Sequence, residues 1–152
     1  MTTTVPGLAG LTGLAGMDLG RTAWVRLTPD LVRGFGVATA NPASSHSPDA
    51  DAHDGPYGFA VVDGFHTLAL AGMLFDRLLE VRDIRMTVIY GVNKLRFPAP
   101  VPVGGQVRLA AAIGTVESMG GGCVQLVADC AMEMPEAEKP ACAGSIVYRF
   151  YA

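Results

Sequence analysis

Apolar and polar positions divide this chain into segments of different period. Residues Thr22–Leu27 (TAWVRL) alternate weakly and predict a strand. Thr28-Pro29-Asp30 then carries the marks of a helix start: a capping threonine, a proline in the first turn, and an acid at the positive helix end. That helix should run to about Thr39 with Leu31, Phe35 and Ala38 on one side, weakened by Gly34 and Gly36. Residues 40 to 60 have no period and are punctuated by Pro42, Pro48, Gly55, Pro56 and Gly58. A second helix is predicted from Asp63 or Gly64 to about Leu79. Its apolar residues, Phe65, Leu68, Ala69, Gly72, Met73 and Phe75 among them, cover most of the circumference. A helix apolar nearly all round is a buried one, and Asp63 is placed to cap it.

From Arg85 onward the pattern becomes that of strands. Residues 85–97, 106–117, 123–133 and 142–151 read as strands, separated by PAPVPVGG, SMGGG and MPEAEKP. Strands joined by short turns predict an antiparallel meander. Helix, loop, buried helix and then a run of strands is an α+β order, with an antiparallel sheet curled around a central α-helix.

Composition sharpens this outline. The chain's 152 residues suit one domain, placed at 21–152. Half of them are hydrophobic and only 16% are charged, which implies a large subunit interface, most simply a homodimer. A net charge of -3 without any Lys/Arg cluster gives no electrostatic case for nucleic acid or an anionic membrane. Cys123, Cys130 and Cys142 form no CxxC pair and are odd in number. They read as reduced, buried thiols of a cytoplasmic protein. Residues 1–20 are apolar but lack a basic leader and are broken by Pro and Gly, so a signal peptide is not expected and no run reaches membrane-spanning length. They are expected to form a flexible arm, mobile or draped on a partner.

The aperiodic stretch NPASSHSPDADAHDGPYGFAVVDGF (41–65) holds His46, His53 and several aspartates. A loop this long in a small domain is functional or disordered. No metal spacing such as HExxH is present, and no cofactor is called for. Asp49, Asp51, His53 and Asp54 read as solvated. His66, inside the helix, reads as packed or facing an interface.

Two segments carry a resemblance. YGVNKLRFPAPVPVGGQVR (90–108) resembles the hallmark stretch of MaoC-like hydratases and dehydratases, in the NodN-like branch. GPYGFAVVDGFHTLAL (55–70) resembles the same family's approach to its central helix, which usually reads His-Gly where this chain has Asp63-Gly64. The resemblance implies a hot-dog fold, a homodimer or paired hot-dogs in a hetero-oligomer, and an acyl thioester substrate on coenzyme A or an acyl carrier protein. It implies addition or removal of water across the 2,3 bond, in polyketide or other secondary metabolism. It puts the family's catalytic Asp at Asn41 and its His at His46.

Enoyl thioester hydration needs a donor for the carbonyl, a base and an acid. Gly64, at a helix N-terminus, suits the donor role; tight packing is its alternative. His46 offers an imidazole that can serve as acid or base; its alternative is a solvated loop residue. Asn41 donates and accepts hydrogen bonds but cannot move the proton an Asp would, and as Asn-Pro it also suits a turn. Asp63 is the candidate replacement carboxylate beside its capping role. Tyr57 and Phe59 are candidates for an acyl tunnel. Arg96 is a candidate for carrier phosphates or for structure at an interface. Because Asn41 replaces the Asp, other readings stand beside a hydratase: a tailoring isomerase or cyclase, a non-catalytic subunit of a hetero-oligomeric hydratase, or a thioesterase.

Overall fold

The computed structural model describes residues 1–42, 46–48 and 55–152. Its frame is a sheet made of β2 (Asp18–Arg21), β5 (Met86–Arg96), β6 (Gln106–Gly120), β7 (Cys123–Glu133) and β8 (Cys142–Tyr151), in the order β2-β6-β7-β8-β5. A two-residue strand, β3 (Val25–Arg26), also pairs with β6, which is all that forms of the strand expected over 22–27. The sheet packs around helix α2 (Gly64–Leu74), giving the expected α+β hot-dog fold.

The long strands follow from their alternation. Val107, Leu109, Ala111 and Ile113 of β6 point inward, as do Val124, Leu126, Ala128, Cys130 and Met132 of β7, and the residues between them are less buried and, apart from Val127, polar or small. The β6–β7 turn needs backbone that only glycine adopts easily, and Gly120, Gly121 and Gly122 all have positive φ.

The expected meander holds for β6-β7-β8 but not for β5, which lies beside β8 at the far edge. PAPVPVGG is therefore a crossing and not a hairpin turn. Pro98, Pro100 and Pro102 bring no amide hydrogens to a ladder. The segment is tied elsewhere: Val62 N–H donates to the Val101 carbonyl (2.8 Å) and Val103 N–H to the Ala60 carbonyl (2.9 Å).

Residues 1–20 correct the arm expectation. β1 (Thr3–Pro6) pairs in parallel with β4 (Leu79–Arg82), and β2 pairs with β6. Val5, Leu11, Leu14 and Leu19 are buried. The glycines that suggested mobility serve as bends between spaced apolar residues, and both backbone partners and a core surface are within reach.

Helix α1 (Pro29–Ala38) starts as expected, with Thr28 Oγ1 accepting from Leu31 N–H at 3.3 Å. Its buried residue is Val32, and Phe35 is half-buried against His66, whereas Leu31 is 49% exposed and Ala38 is exposed, so only Phe35 of the expected stripe faces inward. α2 also starts as expected but ends at Leu74, short of Leu79. The chain tightens through a 3₁₀ turn at Phe75–Arg77 and enters β4, which β1 completes. Ala71, Leu74 and Phe75 enter the core, where Phe75 stacks on Tyr148 with ring centroids 4.4 Å apart. Phe65 and Met73, at 66% and 60% exposure, do not, so α2 is not buried on every side within one chain.

Candidate active site

The site is built where α1 ends and α2 begins. A narrow cleft there is lined by Phe35, Asn41, His46, Asp63 and His66. A wider groove of about 220 Å³ opens beside it, lined by His46, Tyr57, Gly64, Thr67 and Phe97. His46 is common to both, so it stands where they meet.

The His46 ring is oriented by the backbone: Nδ1 lies 2.9 Å from the Val61 carbonyl oxygen. A carbonyl only accepts, so the neutral ring assigned from this contact has its proton on Nδ1 and its lone pair on Nε2. Val61 is itself held by a bridge to Pro102. The proline-rich crossing thus fixes the strip of backbone that aims the histidine.

Asp63 caps α2. Its Oδ1 accepts from Phe65 N–H at 2.7 Å, and its carbonyl accepts from His66 N–H at 3.1 Å and Thr67 N–H at 3.3 Å. The Gly64 amide has no protein partner among the described residues. A Cβ at Gly64 would come within 3.1 Å of the Phe97 ring, so glycine is also what lets that ring close on the helix start. Both readings of Gly64, oxyanion donor and tight packing, therefore have a physical basis.

From the sequence, His66 reads as packed or facing an interface. The structure puts it in the cleft, one helical turn from Asp63. Its ring lies flat on Phe35, centroids 4.6 Å apart and 5° from parallel. Among the described residues, His66 Nδ1 is the only buried side-chain nitrogen or oxygen without a hydrogen-bond partner. Burial holds the imidazole below its ordinary pKa, partly opposed by the nearby Asp63 charge. A signal was available in the sequence, since a histidine three positions after a helix cap shares the cap's side of the helix.

The other predicted site residues divide. Tyr57 lines the wider groove. Phe59 packs near Tyr57, ring centroids 6.0 Å apart, and lines neither space. Arg96 lies outside both, with its guanidinium donating to the Leu95 carbonyl at 2.7 Å. Asp49, Asp51, His53 and Asp54 lie outside the described residues. Cys130 and Cys142 are buried in the core, and burial pushes their thiols up to about 12 and about 11, so neither is a ready nucleophile.

A family model described as "MaoC like domain" matches residues 12–128. The chain belongs to the MaoC-like family. It is 36% identical over 149 residues to 3-hydroxyacyl-thioester dehydratase Z of Mycobacterium tuberculosis H37Rv, covering 98% of this chain and 99% of that protein. It is 26% identical over 136 residues to nodulation protein N of Rhizobium leguminosarum bv. viciae, covering 88% of this chain and 84% of the other, in keeping with the NodN-like branch. Among solved structures, a protein described as the monoamine oxidase regulatory protein of Archaeoglobus superposes with a TM-score of 0.81 at 14% identity. That match covers 99% of this MaoC-like chain and 97% of the other. No helix among the described residues is long and apolar enough to cross a membrane.

Proposed function

We propose that this protein is a hydratase/dehydratase interconverting a 3-hydroxyacyl thioester with the 2-enoyl thioester and water, on coenzyme A or an acyl carrier protein. The observation that carries the reading is His46. Its ring is oriented by the Val61 carbonyl at the junction of a polar cleft and an apolar groove. The groove beside Tyr57, Phe97 and Val101 suits the acyl chain, and Gly64 at the α2 N-terminus suits the thioester oxygen as it gains enolate charge. The name of the mycobacterial relative, a 3-hydroxyacyl-thioester dehydratase, supports the same reaction class.

The exposed Phe65 and Met73 of α2 and Ile89, Tyr90 and Val92 of β5 support assembly with a second hot-dog, most simply a second copy. Cytoplasmic location and a place in polyketide or other secondary metabolism belong to the same reading. The test is spectrophotometric. Purified protein should hydrate short-, medium- or long-chain enoyl-CoA or enoyl carrier-protein substrates, with loss of the conjugated enoyl absorbance. No turnover on any of them would defeat it.

Asn41 favours a second reading, because an amide in the cleft cannot exchange a proton. On that reading the scaffold binds a thioester for a step needing fewer proton transfers, such as isomerisation or cyclisation, or serves as the non-catalytic half of a hetero-oligomer. A homodimer that turns over enoyl thioesters alone would exclude the second half of this alternative.

A further inference from the structure

We propose that His66 is the second proton-transfer group of the site, taking the part that an amide at position 41 cannot play; this rests on the hydratase/dehydratase reading above. Three observations converge on it. His66 lines the same cleft as Asn41 and His46. Its ring is held flat against Phe35, which fixes its plane. Its Nδ1 is the one buried side-chain polar atom left without a partner among the described residues. A fold dedicated only to stability would place an apolar ring there, because an unsatisfied buried nitrogen is rare and costly.

The alternative carboxylate, Asp63, is engaged with the Phe65 amide as the helix cap. It serves His66 instead. Among the described residues, the charged or titratable groups that line this cleft beside His66 are Arg33 from α1, His46 from the loop and Asp63 from the start of α2. Burial keeps His66 neutral at rest, while the Asp63 charge favours the imidazolium once a proton arrives. In hydration, neutral His66 takes a proton from water as the water oxygen bonds to C3. The electrons of the 2,3 double bond move into the enolate, and the proton passes from His66 to the lone pair on His46 Nε2, directly or through water. His46 then delivers that proton to C2, which leaves both rings neutral, and dehydration runs these steps in reverse.

The test compares wild type, His46→Ala, His66→Phe and His66→Gln on an enoyl-CoA that the wild type hydrates. His66→Phe keeps the stack on Phe35 and removes the unpartnered nitrogen. It is expected to raise the melting temperature while lowering kcat a hundredfold or more, with little change in KM. His66→Gln guards against a Phe variant that fails to fold, and the same kcat loss is expected of it. Adding Asn41→Asp to His66→Phe should recover at least tenfold in kcat. A His66→Phe enzyme within threefold of wild-type kcat overturns the proposal. So does a loss that Asn41→Asp does not relieve, which would mark His66 as structural. Turnover that needs His46 but not His66 sinks this inference and leaves the hydratase reading standing. A wild type without turnover on any thioester removes both.

Discussion

The two ends of α2 sit in opposite environments. At its N-terminus, Asp63, Gly64 and His66 face a cleft and a groove, and a ring nitrogen is left without a partner. At its C-terminus, Leu74 and Phe75 are sealed in the core, and Tyr148 both stacks on Phe75 and donates its hydroxyl to the Gly72 carbonyl at 3.5 Å. The first end keeps an unfavourable arrangement that packing alone would remove. The second satisfies its groups at the density of an interior. One helix thus divides its work, with the buried end holding the exposed end still.

Substitutions at the two ends should separate activity from stability. The largest effect is expected at the site. His46→Ala should lower kcat/KM on an enoyl thioester by about 10²–10⁴, the usual loss for one acid–base partner, with a melting temperature near wild type. At the other end, Phe75→Ala should cost about 3–5 kcal/mol in denaturant unfolding, because it empties the stack against Tyr148. An unfolding midpoint close to wild type would mean that this end does not anchor the helix. Asp63 joins the two regimes. Asp63→Ala should cost about 1 kcal/mol of stability through the lost cap and also reduce turnover, while Asp63→Asn should restore much of the cap without the charge.

The smallest effect is on acid stability. The folded His66 has a lowered pKa, so its unfolded form binds more protons near and below the ordinary histidine value of about 6.5. The contribution from keeping this ring neutral is present above that pH and is lost as pH falls through the lowered folded value. Chemical unfolding from pH 7.5 to pH 5 should show wild type losing more stability than His66→Phe over that range. Parallel curves would show that burial does not hold the ring neutral.

Much of this was legible from local rules. Thr28 and Asp63 announce their helices because a short side chain one residue ahead of a helix can take a free amide. The β7 and β8 bounds match those expected from alternation, while β6 runs to Gly120, three residues past its expected end. The first twenty residues misled because small and bending residues look alike whether a segment is loose or folded onto a core. The end of α2 was overrun because Phe75 and Leu79 continue an apolar pattern through a change from helix to strand. Arg96 and Phe59 stand near the matching motifs, and within one chain neither lines the cleft or the groove.

By itself the sequence determined the two helix starts, the long strands β5 to β8 and the family, since each depends on residue type and spacing. Only the tertiary structure decided that β5 lies beside β8, because three prolines cannot form a hairpin ladder and their segment is tied to residues 60–62. Only it brought His66 into one cleft with Asn41 and His46, which are far from it along the chain. Periodicity records which residues avoid water. Which polar groups meet inside is set by how the end of α1 packs against the start of α2, where Phe35 lies on His66, and no local pattern encodes that distance.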